Sequence, residues 1–183
     1  MYLECVFYTS DFIVHGFIDS HLERISDFLN IKTETTIVLY DVKVSKLLNL
    51  TKSLPMSIPE VRLEKQSILF AIPMEGEKSQ TIIYRRANRL VYPVKVFLPG
   101  FTLIGSIHLI EKFDIRRVLL GRPDDFVPLT DVTASYLLNP AASINRNIII
   151  FNRNRMIMIG EHIQEDVSRG QAAENAGSES KKP

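Results

Sequence analysis

The stretch Val96-Phe97-Leu98-Pro99-Gly100-Phe101-Thr102-Leu103-Ile104-Gly105-Ser106-Ile107 decides the reading of this chain, because an earlier stretch follows the same path. That counterpart is Val6-Phe7-Tyr8-Thr9-Ser10-Asp11-Phe12-Ile13-Val14-His15-Gly16-Phe17-Ile18. Each reads as two apolar strands joined by a turn. Pro99-Gly100 is the stronger turn signal, since proline presets φ and glycine accepts φ > 0. Gly16 and Gly105 sit inside the second strand of each pair, where a glycine marks a bulge, a bend or the close approach of another backbone.

Working outward, residues 6–49 slide onto 96–139. The match aligns Val6 with Val96, Phe7 with Phe97, Ile25 with Ile115, Leu29 with Leu119, Leu39 with Leu129, Asp41 with Asp131 and Val42 with Val132, and Leu47-Leu48-Asn49 with Leu137-Leu138-Asn139. A one-residue slip in the first turn adds Phe12/Phe101, Gly16/Gly105 and Ile18/Ile107. The matches are mostly apolar or turn residues, so what is duplicated is a core and a backbone path rather than a set of reactive groups.

Each copy predicts strand, strand, short helix, strand, strand, strand. In the first, Ser20 and Glu23 have capping-box spacing ahead of a face made by Leu22, Ile25, Phe28 and Leu29. In the second, Asp114 opens and Gly121 closes a helix carrying Ile115, Val118 and Leu119. Strands at 36–44 and 126–134 follow, then hairpins turning through Lys65-Gln66 and Asn152-Arg153-Asn154. Short strands with one small helix and a strand-bending glycine suit a small, highly curved barrel. The expected fold is therefore mainly β: two tandem small β-barrel-like repeats of about five strands each. Repeat 1 spans 1–73 and repeat 2 spans 93–160, with a linker at 74–92 and a disordered, apolar-poor tail at 161–183.

Composition bounds the function classes. Hydrophobic residues make up 45% and charged residues 23% of the 183, an ordinary globular balance. The single cysteine, Cys5, excludes an internal disulfide framework and reads as a small buried hydrophobe. No basic leader followed by an apolar stretch opens the sequence and no run nears membrane-spanning length, so the expectation is a cytoplasmic protein with no membrane partner. Charge is graded along the chain. Residues 1–83 sum to −3, residues 84–160 to +6 and residues 161–183 to −2. Such polarity steers an anionic ligand to one half or favours head-to-tail contact between molecules.

The duplicated unit resembles an uncharacterised bacterial domain family. The residues that carry the likeness are Val14-His15-Gly16, Ser26-Asp27-Phe28-Leu29-Asn30, Leu129-Thr130-Asp131 and Asn152-Arg153. Neither copy has every piece: Arg116-Arg117-Val118-Leu119-Leu120 stands in the second helix and Leu39-Tyr40-Asp41 in the first copy's strand. The resemblance implies no activity. The hairpin at 96–105 also looks like the opening of Sm-like RNA-binding barrels, although those place their helix ahead of the strands. Arg85-x-x-x-Arg89 looks like the first half of the PilZ cyclic-di-GMP motif, whose second half has no counterpart where Glu111-Lys112-Phe113-Asp114 stands.

The search for chemistry gives no catalytic or metal set and calls for no cofactor. His15, His21, His108 and His162 lack ligand spacing and none recurs in the other copy. Asp41 and Asp131 recur, but a short carboxylate at a bulge or strand end accepts backbone N–H groups and fixes the turn, so both read, with Gly16 and Gly105, as structural positions. The arginines of the second copy are the anion-binding candidates: Arg85, Arg86, Arg89, Arg116, Arg117, Arg153 and Arg155. Arginine forks grip phosphate, yet aromatic stacking residues are not interleaved with them. The reading is a non-enzymatic module acting through a protein partner or self-association. Its alternative is a regulatory protein that binds nucleic acid or an anionic nucleotide such as cyclic-di-GMP.

Overall fold

The computed structural model describes residues 1–48, 54–74, 90–109 and 124–162. Its strands are β1 (Tyr2–Tyr8), β2 (Phe12–Asp19), β3 (Thr36–Lys46), β4 (Met56–Glu64) and β5 (Phe70–Pro73), then β6 (Leu90–Leu98), β7 (Phe101–Leu109), β8 (Phe126–Tyr136), β9 (Asn139–Asn152) and β10 (Met158–Glu161). One short helix, α1 (Ile25–Leu29), lies between β2 and β3, and 3-10 turns at Lys65–Ser67 and Arg153–Arg155 precede β5 and β10. Residues 75–89 of the expected linker, the second helix and nearly all of the tail lie outside the described residues, while residues 90–92, expected to end the linker, already belong to β6. No described helix is long and apolar enough to cross a membrane.

The strands do not form two separate barrels. They make one antiparallel sheet in the order β10-β6-β7-β8-β9-β5-β1-β2-β3-β4. This corrects the expectation of an internal repeat folded as two small β-barrels. The physical reason lies in the fourth strand of each half. Ile148-Ile149-Ile150-Phe151 of β9 is a continuous apolar run buried on both faces, the pattern of a central strand. Glu60-Val61-Arg62-Leu63-Glu64 of β4 alternates charged and apolar residues, the pattern of an edge strand. β5 pairs with β1 on one side and with β9 on the other, so its second edge joins the halves.

Alternation then divides the interior in two. Phe70 and Ile72 of β5 and Ile149 and Phe151 of β9 point into one core, built mainly on β6, β7 and β8. Ala71, Ile148 and Ile150 point into the other, built on β1, β2, α1 and β3. The two cores stand on opposite faces of the β5–β9 pair, and each half supplies residues to both.

Within this sheet the halves share local geometry. Asp41 and Val42 together oppose Gly16, and Asp131 and Val132 oppose Gly105, at matching register shifts. Asp41 has φ 50° and Asp131 φ 53°, the left-handed region that aspartate tolerates better than most residues. A Cβ on Gly16 would meet the Tyr40 carbonyl oxygen at 3.2 Å, and one on Gly105 the Thr130 carbonyl oxygen at 3.0 Å.

Two local expectations are corrected. Gly16 pairs with Cys5 and Gly105 with Val94, so the structural counterparts in the first strands are Cys5/Val94 and Phe7/Val96 rather than Val6/Val96. β1 and β2 therefore share one offset with β6 and β7, and the one-residue slip falls between β2 and β3, ahead of the Asp41/Asp131 match, instead of in the first turn, where it would turn the buried set away from its core. Ser20 does not cap α1: its N–H is held by the Met1 carbonyl at 2.9 Å and its Oγ accepts from the Leu22 N–H at 2.9 Å. The helix begins after Arg24, without a side-chain cap.

Candidate functional site

Among the described residues, side-chain hydrogen bonds and ion pairs gather at the junction where β5 meets β9. Its strand pairing is short, with Phe70 opposite Phe151 and Ala71 opposite Ile150, extended by a bond from the Asn152 N–H to the Leu69 carbonyl at 2.9 Å. Side chains lengthen the seam. Asn152 donates through Nδ2 to the Lys65 and Ile68 carbonyls at 3.2 and 3.0 Å, while its Oδ1 accepts from the Asn154 N–H at 3.0 Å. Asn30, at the end of α1, reaches the start of β8: Oδ1 accepts from the N–H groups of Asp125 and Phe126, and Nδ2 donates to the Phe126 carbonyl, each at 2.9 Å.

Charge and aromatic contacts complete the seam. Lys32 bonds Asp125, which Arg153 also approaches at 3.5 Å. Burial opposes ionisation of Asp125, but hydrogen bonds from Lys32 and Asn154 and the charges of Lys32 and Arg153 outweigh it and hold the carboxyl below its ordinary pKa. Lys65 is 7% exposed and donates to the Ile31 carbonyl at 2.8 Å. Desolvation pulls its pKa down, against the attraction of Glu34 and Asp125. On the other side Tyr8 stacks on Phe70 at 4.4 Å, and Phe70 meets Phe101 edge-on at 5.0 Å.

Between α1 and the two 3-10 turns runs an open groove of about 680 Å³, bordered by Lys32, Glu34, Lys65, Gln66, Asn154 and Arg155. Its charges are mixed and its cations largely committed. Of the anion-binding candidates, Arg153 is half-buried against Asp125 and Arg155 is exposed at the groove. Arg85, Arg86, Arg89, Arg116 and Arg117 lie outside the described residues. Of the histidines, His15 bonds Glu4 at 2.7 Å and His108 bonds the Thr130 hydroxyl at 2.8 Å. Among the described residues no three histidine, cysteine or acidic side chains group to hold a metal ion.

Sequence reasoning passed over Asn30, Lys65 and Asn152, whose side chains hold this junction. The signal was present, since Asn30 and Asn152 both belong to the motif pieces that carried the resemblance. No protein-family model, curated protein or solved structure matches the chain.

The outer strands are the second notable surface. Among the described residues, β4 pairs with β3 and has no strand on its other side, and β10 pairs with β6 and likewise has none. Ile157 and Met158 at the β10 edge are 63% and 55% exposed.

Proposed function

We propose that the chain is a cytoplasmic, non-enzymatic assembly module that works by extending its sheet through its outer strands. The observation that carries this reading is that, among the described residues, β4 and β10 each leave one edge unpaired, with exposed large apolar side chains at both, Met56 on β4 and Ile157 and Met158 at β10. An open edge presents a row of N–H and C=O groups ready to pair with another strand, and proteins that do not use it ordinarily cover or blunt it. The anionic-ligand alternative draws less support, because Arg153 is committed to Asp125. Hydrogen exchange read strand by strand tests the proposal. Amides of β4 and β10 are expected to exchange fast in dilute protein and slowly in concentrated protein, with β5 and β9 protected throughout. Edge amides that exchange equally fast at every concentration would remove the reading.

A further inference from the structure

The strand order contains its own template for a partner. It reads β10-β6-β7-β8-β9 and then β5-β1-β2-β3-β4, so the fifth, first, second, third and fourth strands of each half lie side by side in the same order. The halves join by the fourth strand of one (β9) and the fifth strand of the other (β5). Among the described residues, the two strands left at the outside are the remaining fourth strand, β4, and the remaining fifth strand, β10. From this we infer that a second copy of the chain docks head to tail, β10 of one molecule pairing with β4 of the next in the register of the β5–β9 junction.

The register follows from the paired residues. Leu39 pairs with Val61 and Leu129 with Ile149, which makes Leu63 the counterpart of Phe151 and Arg62 that of Ile150. Tyr8 pairs with Phe70 and Phe97 with Met158, which makes Met158 the counterpart of Phe70 and Ile157 that of Leu69. Met158 of one copy thus faces Leu63 of the next. Leu69 and Phe70 are 0% exposed at the internal junction, whereas Ile157 and Met158, at the same places, are mostly in solvent. That is the exposure expected of a fifth strand whose fourth strand belongs to another molecule.

Charge agrees with the polarity at the turn end of the contact, while at its other end the same register sets Glu161 across from Glu60. Glu64 stands where Asn152 stands, and Asn152 packs on the 3-10 turn of the other half. In the intermolecular junction Glu64 meets the matching turn of the neighbour, which carries Arg153 and Arg155. More broadly, the half with the β4 edge is acidic and the half with the β10 edge is basic. Glu60 and Arg62 replace the buried Ile148 and Ile150, so this contact is weaker than the internal one and depends on concentration. A heterologous contact propagates until the assembly closes on itself.

This inference rests on the assembly reading, and a mixing experiment separates the two. One full-length variant blocks β10 with Ile157→Lys and Met158→Lys, and the other blocks β4 with Leu63→Lys and Glu64→Lys. Each is expected to sediment as a monomer at concentrations where the unaltered chain is larger, and their equimolar mixture as a dimer and no larger, through the one matched pair of intact edges. If one variant still self-associates alone while the other does not, the contact joins like edges: head-to-tail docking is overturned and assembly stands. An unaltered chain that stays monomeric overturns both, and two variants that assemble as well as the unaltered chain place the contact elsewhere and overturn the register. A cooperative melt like that of the unaltered chain confirms folding, and Glu64→Lys alone, at an exposed side chain, serves if the double β4 variant does not fold.

Discussion

Asn30 holds the backbone of Phe126 by both ends of its amide, Oδ1 accepting from the N–H and Nδ2 donating to the C=O, each at 2.9 Å. The side chain does what a neighbouring strand would do for an edge residue. Because the partners lie 96 positions apart, the contact ties α1 of the first half to the first residue of β8 in the second.

Asn30→Ala removes three hydrogen bonds and leaves the Phe126 backbone groups in a buried setting without their partner. The expected cost is about 2–3 kcal/mol, the range for orphaning buried polar groups. Asn30→Asp keeps the acceptor, loses the donor and sets a second carboxylate beside Asp125, so it is expected to be no better tolerated than alanine. Denaturant midpoints with an unchanged m value are the check. A loss under about 0.5 kcal/mol, the usual limit for a surface substitution, would show that the amide is solvated rather than stitching the halves.

Much of the local structure was legible because short-range signals carry it. Pro99-Gly100 marked its hairpin and Gly16 and Gly105 marked the strand positions that face bulges, whereas Lys65-Gln66 and Asn152-Arg153-Asn154 marked turns but not the expected hairpins, since β4 does not pair with β5 nor β9 with β10. The joining of the two halves was not legible. Whether β5 pairs with the fourth strand of its own half or of the other depends on a comparison across the chain, between the apolar run of β9 and the charged alternation of β4. Read against one another, Ile148-Ile149-Ile150-Phe151 and Glu60-Val61-Arg62-Leu63-Glu64 contain that answer. Read copy by copy, each half asks for closure on itself. The site residues fared similarly, since Asn30 and Asn152 have no titratable or nucleophilic group and gain their role from where the sheet joins.

The two glycines differ in how little room they leave, which predicts an order. A Cβ on Gly105 would stand 3.0 Å from both the Thr130 carbonyl oxygen and Val132 Cγ2, against 3.2 and 3.3 Å for the equivalent contacts of Gly16. Gly105→Ala is therefore expected to destabilise more than Gly16→Ala, by about 1–3 kcal/mol for the tighter site, as for other overpacking changes. Thermal melting of the two variants side by side reads the order. Equal effects would mean that the β7–β8 bulge relaxes as easily as the β2–β3 bulge.

Across each bulge an aspartate holds the left-handed conformation, at φ 50° for Asp41. Glycine adopts that region without steric cost, whereas a β-branched residue pays the most there. Asp41→Gly is expected to stay within about 1 kcal/mol of the unaltered chain, while Asp41→Val loses about 2 kcal/mol or more. The contrast between the two substitutions, measured by urea unfolding, isolates the backbone from the lost carboxylate. If both lose the same amount, the carboxylate and not its φ is what the position requires.

Cys5 is fully buried between Gly16 on β2 and Pro73 on β5, and burial pushes its thiol pKa up, away from the thiolate that reacts. As the single cysteine it reports on the seam between β1 and its two neighbours. A thiol reagent is expected to label it at the rate at which the structure opens, with the rate rising in step with unfolding as denaturant is added. Labelling as fast as a free peptide thiol in native buffer would show that β1 separates from β5 without global unfolding.

Asp125 gives the junction a pH dependence whose sign follows from its depressed pKa. A carboxyl that ionises more readily in the folded state than in the unfolded chain contributes stability above its unfolded pKa, and that contribution disappears as pH falls through the folded value. Asp125→Asn removes the ionising group while leaving an amide of similar size beside Lys32, Arg153 and Asn154. The variant is expected to be less stable than the unaltered chain near neutral pH and to converge with it in acid. The gap at neutral pH is expected to narrow with added salt, since Lys32 is half exposed and its share of the attraction is screened. Denaturant midpoints for both proteins from neutral pH down through the carboxylate range decide it: parallel curves would show that Asp125 is no better stabilised in the fold than in the open chain.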